Sequence, residues 1–224
     1  MMGHKTYRLL AGVLSLASLP TQSSIQSSLW QKQMVAATKA YQQGRYHRAE
    51  ELLEAALDKA ENFGLQDRRL AINLNNLAEA YRVQGKYTEA KPLYQKALAI
   101  WEKVRQPGFP YVAIGLNNLA LLYAAQGKYD KAERLYQRSL AIWEEALGPD
   151  HRAVATSLEN YASLLRKTNR EAEAAKMEAR AKAIRAKQRG RNPTNRQDGG
   201  APSLNSSQPI RHPAHRAGLA QASS

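Results

Sequence analysis

The chain of 224 residues contains no cysteine, and it lacks the sequence patterns of the common catalytic and phosphate-binding sites. Without cysteine there is no disulfide framework, thiol nucleophile, lipid anchor attached to cysteine or Cys-ligated metal site. No HExxH, Gly-rich phosphate loop or GxSxG motif is present, and the five histidines are scattered. The sequence therefore predicts no catalytic residue, no metal site and no cofactor, and it favours a non-enzymatic protein.

Negative charge is scarce, and much of the positive charge is concentrated in one stretch. The 33 Lys and Arg residues outnumber the 19 Asp and Glu residues, so the formal net charge is +14 and the pI is near 10.0. Between Arg166 and Arg191 there are ten Lys or Arg residues and three Glu residues. This balance permits a nucleic acid, an anionic membrane or an acidic protein segment as a partner, and composition alone does not choose among them.

Two stretches of the chain repeat each other at a fixed offset of 42 residues. Residues 75–103 read NNLAEAYRVQGKYTEAKPLYQKALAIWEK, and residues 117–145 read NNLALLYAAQGKYDKAERLYQRSLAIWEE. Apolar residues recur at three- and four-residue spacing on both sides of Gly85 and Gly127. This periodicity predicts two amphipathic helices, A and B, joined by a tight turn. At the turn, glycine adopts the left-handed conformation without a Cβ clash.

The paired stretches resemble tetratricopeptide repeats (TPRs), in the longer-period form found in kinesin light chains and in many bacterial proteins. That family places small residues where helices A and B cross closely. In this chain the matching positions are Ala78, Ala90 and Ala97, then Ala120, Ala132 and Ser139. The resemblance implies an all-α, right-handed α-solenoid of about four helix-turn-helix pairs, and it suggests a bacterial protein.

Two less regular copies flank this pair. The first has its turn at Gly44, and Ser28 to Gln31 resembles a capping box, which predicts a helix start at Ser28. The last copy has Asn169 in place of the turn glycine. Their small positions are Ala37, Ala49 and Ala56 in the first copy and Ala162, Ala174 and Ala181 in the last. The predicted array covers residues 27–187, in repeats of 27–61, 68–103, 110–146 and 152–187.

Two local features refine the helix boundaries. Asp67 is expected to cap the helix that follows it, because its carboxylate can accept a bond from a free backbone N–H. Pro92 is expected near the first turn of its helix, because proline deeper in a helix removes a hydrogen bond.

The regions outside the repeats predict two further segments. Lys5 and Arg8 precede an apolar run from Leu9 to Leu19, which gives residues 1–23 the outline of a secretory signal peptide. The run is too short to span a bilayer as a helix, and an N-terminal helix lying on the first repeat is the alternative. Cleavage would place the protein in the periplasm or outside the cell, and an uncleaved chain in the cytoplasm. Residues 188–224 are predicted to be a disordered basic tail.

In this family the helix A faces line a concave groove, and the resemblance places the candidate peptide-binding residues there. They are Asn75, Asn76, Arg82, Asn117, Asn118, Asn160, Arg166 and Lys167. An asparagine amide both donates and accepts, so a row of them at repeat spacing can pair with an extended peptide backbone. The same amides can instead bond to the adjacent repeat and fix the stacking, and both uses stay open.

The groove does not carry the Lys and Arg clamp with which other TPRs bind a C-terminal carboxylate. The matching positions hold Ile72, Ile114 and Thr156. The periodic tyrosines and tryptophans are expected to pack between helices rather than to stack on bases.

The basic stretch 166–191 has two interpretations. It can be a solvated helix that caps the array, or an electrostatic patch for nucleic acid or anionic lipid. No aromatic residue follows Tyr161, which disfavours single-stranded nucleic acid.

The predicted function is a protein–protein interaction scaffold that binds an extended partner segment in the groove. An acidic segment is favoured, because the groove carries Asn, Arg and Lys. Binding of nucleic acid or a membrane surface is the alternative, and two exposed array ends permit a homo-oligomer.

Overall fold

The computed structural model describes residues 22–104 and 110–191, and every regular element in these two ranges is an α-helix. The eight helices are α1 (Gln22–Gln42), α2 (Tyr46–Glu61), α3 (Arg68–Val83), α4 (Tyr87–Lys103), α5 (Tyr111–Ala125), α6 (Tyr129–Leu147), α7 (Arg152–Lys167) and α8 (Glu171–Arg191). Odd-numbered helices are the A helices and even-numbered helices are the B helices. Each A helix packs on the B helix after it, and each B helix packs on the next A helix. The predicted all-α repeat array is confirmed.

Three-residue turns connect the two helices of each pair, and one residue in every turn has a positive φ. The φ angle is 78° at Gly85 and 73° at Gly127. In the last turn Asn169 has a φ of 59°, a conformation that asparagine tolerates better than most residues with a Cβ. The predicted turn positions are therefore confirmed, and the asparagine preserves the turn of the last repeat.

The helix starts agree with the predictions only in part. The Asp67 carboxylate caps α3, because it accepts a hydrogen bond from the Arg69 backbone N–H at 2.7 Å. The capping role predicted for Ser28 is wrong, since Ser28 lies inside α1. Pro92 lies in the second turn of α4, deeper than predicted. Pro92 is exposed, so the helix loses one backbone hydrogen bond at this residue and the packing of the core is not disturbed.

The ends of the array also differ from the prediction. Helix α8 continues to Arg191, so residues 188–191 are helical rather than part of a disordered tail. The predicted signal peptide lies outside the described residues apart from residues 22 and 23, which begin α1. Residues 192–224 of the predicted tail lie outside them too. None of the helices in residues 22–104 and 110–191 is both long enough and apolar enough to cross a membrane.

The core follows the alternation of small and large residues in the repeat pattern. All twelve predicted small positions, from Ala37 to Ala181, are at most 1% exposed. The large residues Tyr94 and Tyr136 are 0% and 1% exposed beside them. Close crossing at the small residues brings successive A helices into contact, α3 with α5 and α5 with α7. The A helices therefore lie side by side and form one continuous face of the array.

Candidate functional site

Every candidate groove residue lies on an A helix, α3, α5 or α7. On α3 and α7 the candidates along the helix are six or seven residues apart, about two helical turns, so they lie on the same side of the helix. Burial divides them into two groups. Asn75, Asn76, Asn117, Asn118 and Arg82 are at most 9% exposed. Asn160 is partly exposed, and Arg166 and Lys167 are exposed.

The asparagines form an amide ladder between successive repeats. Nδ2 of Asn118 donates to Oδ1 of Asn75 at 2.9 Å. One repeat later, Nδ2 of Asn160 donates to Oδ1 of Asn117 at 3.3 Å. Both bonds join residues on neighbouring A helices, so they contribute to the stacking that was one of the two open uses. Contact of these asparagines with a peptide stays a prediction, and the partly exposed Asn160 is the best placed for it.

The amide ladder ends in the last repeat at Glu159, a groove position whose ion pair was not predicted from the sequence. Glu159 stands where the two preceding repeats have Asn75 and Asn117. Its carboxylate accepts from Nε of Arg185 on α8 at 2.6 Å and from Nη2 at 2.7 Å. The ion pair satisfies the position from within the same repeat, so no following asparagine is needed. The replacement of Asn by Glu at a fixed repeat position was the available signal.

We expect Asn118→Ala to lower the free energy of unfolding by about 1–3 kcal/mol, because a buried Asn75 oxygen loses its donor. Asn160→Ala is the matched control, since it removes the equivalent bond at a partly exposed position. Its cost should be smaller, about 0.5–1.5 kcal/mol. Urea unfolding followed by far-UV circular dichroism measures both. Equal costs would show that burial of the amide ladder does not govern its contribution.

A buried charge network lies on the same face, between the first and second repeats. The Glu79 side chain is 3% exposed, and Arg82 binds both its oxygens, through Nη2 at 2.7 Å and Nε at 2.8 Å. The hydroxyl of Tyr41 on α1 donates to Oε1 at 2.7 Å, and that of Tyr94 on α4 donates to Oε2 at 2.6 Å. One carboxylate therefore ties three helices together through four hydrogen bonds.

The ionisation of this network follows from its contacts. Burial by itself would raise the pKa of Glu79, but the Arg82 guanidinium and the two tyrosine hydroxyls outweigh it, so the pKa lies below its usual value. Burial and the neighbouring Glu79 carboxylate raise the pKa of both Tyr41 and Tyr94. Glu79 is thus ionised and both tyrosines are neutral donors near neutral pH. The i, i+3 spacing of Glu79 and Arg82 could have indicated their pairing, but not the two tyrosines.

Many of the cations in the basic stretch 166–191 are held in ion pairs. Arg166 binds Glu178 through Nη2 at 2.7 Å and lies 3.7 Å from Glu171. Five Lys and Arg residues of this stretch have an ion-pair partner among the described residues, namely Arg166, Arg170, Arg180, Arg185 and Lys187. Lys167 forms no ion pair with any described residue and is exposed. These pairs fasten α8 to the array, which accords with a capping role for this helix.

The histidines and carboxylates of the described ranges form no cluster suited to a metal ion. His151 caps α7, because its Nδ1 accepts from the Ala153 backbone N–H at 3.2 Å.

The comparison with known families agrees with the repeat pattern. A family model described as tetratricopeptide repeat matches residues 32–105 and 111–187, and a second with the same description matches residues 75–146. No curated protein matches the sequence.

Solved structures similar to this chain come from two organisms. The crystal structure of BtubC (BKLC) from P. vanneervenii has a TM-score of 0.62 and 26% identity, over 78% of this chain and 70% of that chain. Two crystal structures of a putative kinesin light chain from Podosopora anserina, with nearly identical TPR-like repeats, have TM-scores of 0.59 and 0.55 at 24% identity. They cover 75% and 74% of this chain and 84% and 83% of those chains. The resemblance to TPRs of the kinesin light chain kind is confirmed, and a bacterial origin stays a prediction.

Proposed function

Because the chain belongs to the tetratricopeptide repeat family, whose repeats generally mediate protein–protein interaction, we propose that it is a non-enzymatic scaffold. It holds an extended segment of a partner protein against the face formed by its A helices. The observation that carries this proposal is the continuous A-helix face. On it Ala125 and Ser163 are exposed, and Val83 and Leu121 are partly exposed.

The charge of the chain favours an acidic partner. The formal net charge is +14, and a positive surface raises the encounter rate with negative segments. Export through the predicted signal at residues 1–23 belongs to the same proposal and would place the partner outside the cytoplasm. The mass of the protein isolated from its natural host tests this, since an intact N-terminus would overturn it.

The binding experiment separates the A-helix face from the rest of the surface. Wild-type protein is used as bait in lysate and envelope fractions of its host, beside Ser163→Trp on α7 and Gln95→Trp on α4. Both positions are exposed, so each indole adds bulk without opening the core. We expect Ser163→Trp to reduce partner capture by about tenfold or more, equivalent to about 1.4 kcal/mol. Gln95→Trp should leave capture unchanged.

Two outcomes would contradict the proposal. Equal capture by all three proteins would place the partner elsewhere on the surface. Nucleic acid or lipid retained only at low salt, and lost when the chain ends at Arg191, would identify the tail as the binding element, because phosphate contacts weaken steeply as salt rises.

A further inference from the structure

We propose that the A-helix face recognises its partner segment in two chemically different sections, an uncharged one over the second and third repeats and an acid-binding one at the fourth. The middle section comprises Val83, Leu121, Ala124 and Ala125, with Arg82 beside them. The terminal section comprises Asn160, Ser163, Arg166 and Lys167. This inference rests on the proposed function and specifies the chemistry and the direction of the segment.

The middle section is apolar where it meets solvent. Val83 on α3 and Leu121 on α5 are partly exposed, and Ala125 is exposed. Leu121 also packs against the buried cluster that contains Tyr136 and Tyr161. This contact fixes the orientation of the side chain, including the part that is exposed to solvent. Such a surface favours binding of small apolar side chains of a partner, because apolar surface on both sides is removed from water.

Arg82 does not make this section attractive to an acid. Its charge is already matched by Glu79, which it binds through two nitrogens at 2.7 and 2.8 Å, and both side chains are at most 9% exposed. A second carboxylate would place two anions around one buried cation, and like charges at low dielectric disfavour each other strongly. The middle section therefore selects against Asp and Glu.

Arg82 can still donate a hydrogen bond to an uncharged group in this section. Its hydrogen bonds with the described residues employ Nε and Nη2 only. A guanidinium has a further nitrogen with two N–H donors, and here the Glu79 pair fixes the plane in which they lie. A main-chain carbonyl of an extended segment can accept from Nη1 without adding charge.

The terminal section differs because one of its cations is available. Arg166 is engaged by Glu178 through Nε at 3.0 Å and Nη2 at 2.7 Å. Lys167 is exposed and forms no ion pair among the described residues. An acidic side chain of the segment is therefore expected at Lys167, within the same section as the partly exposed Asn160. The charge asymmetry along the face sets the direction in which the segment binds.

The test uses a display library of random linear dodecapeptides selected on the intact wild-type protein. Selected peptides should combine a run of uncharged residues with Asp or Glu at one end. Lys167→Glu should weaken them by about tenfold or more and should select peptides with Lys or Arg at that end instead. Lys96→Glu, the same charge reversal at an exposed position of the B helix α4, should have no such effect. Asp introduced into the uncharged run should also weaken binding by about tenfold.

The outcomes distinguish this inference from the proposed function. Peptides that lose binding to Ser163→Trp but bind Lys167→Glu as well as wild type would overturn the two-section inference and leave the groove assignment standing. Tolerance of Asp in the uncharged run would overturn it too. Selection of no peptide, or only of peptides that bind Ser163→Trp equally, would overturn the proposed function, and the inference would fall with it.

Discussion

Replacing Arg82 with methionine should lower the free energy of unfolding by about 3–5 kcal/mol at neutral pH. The substitution keeps much of the volume of the side chain and removes the only cation hydrogen-bonded to Glu79 in the described structure. The carboxylate is then left 3% exposed with two tyrosine hydroxyls as donors. An ionised carboxylate without a counter-charge in such a place is strongly destabilising. Denaturant unfolding followed by circular dichroism measures the loss.

The matched control removes both charged side chains at once. Glu79→Leu with Arg82→Ala introduces the residues that the third repeat carries at these positions, Leu121 and Ala124. The double variant should lose less stability than Arg82→Met, because no buried charge is left without a partner. A larger loss in the double variant would show that the ion pair itself contributes more than the removal of an isolated charge.

The pH dependence gives an independent check. In the wild type the pKa of Glu79 lies below its ordinary value of 4.5. The stability from its ionisation is therefore fully present above that value and is lost as pH falls through the folded pKa. In Arg82→Met, burial without the cation raises the pKa, so the folded state is favoured by protonation. The difference between the two proteins should shrink on acidification, and a constant difference would contradict the buried-charge explanation.

Replacing Trp101 with alanine should lower the free energy of unfolding by about 3–5 kcal/mol through the cavity it leaves. The indole is 5% exposed and stacks on Tyr111 with ring centroids 5.5 Å apart. It also lies against Gly115, where an added Cβ would come within 3.1 Å of the indole ring. Trp101 thus fills the joint between the second and third repeats, and its loss should uncouple them. Thermal and urea unfolding by circular dichroism test this.

Trp143 provides the comparison, because it occupies the same position one repeat later. It is only partly buried, and Ser157 stands at the repeat position of Gly115. Trp143→Ala should cost less than Trp101→Ala, at most about 3 kcal/mol, because part of the indole surface is already in water. Equal losses would show that the joints contribute alike despite their different packing.

Much of the fold is predictable from the sequence, because TPR packing is local. Each helix pair contacts its neighbours along the chain, so the spacing of Ala78, Ala90 and Ala97 predicts the crossings within its own repeat. Gly85 and Gly127 likewise predict the turns, because a turn depends on a few consecutive residues. The prediction at Ser28 failed, because a capping box is a pattern of few residues and the helix could extend past it.

The sequence predicts which residues share the face of the candidate site, but it does not predict which of their side chains are exposed. The period correctly indicates that Asn76, Asn118 and Asn160 share a face. It does not report how deeply each side chain lies, because burial depends on the distance between adjacent A helices. The participation of Tyr41 in the Glu79 network joins residues 38 positions apart, a contact that no local pattern contains.

The repeat architecture, its turns and its buried small residues follow from the sequence, since these depend on spacing within about one repeat length. Which charged side chains are available to a partner depends on the folded arrangement of the helices. In the sequence, Arg82, Arg166 and Lys167 are all basic residues at predicted groove positions. In the folded chain Glu79 and Glu178 engage the two arginines, and the lysine is left without an ion pair among the described residues. Electrostatic availability depends on which side chains meet in space, and only the stacked helices bring them together.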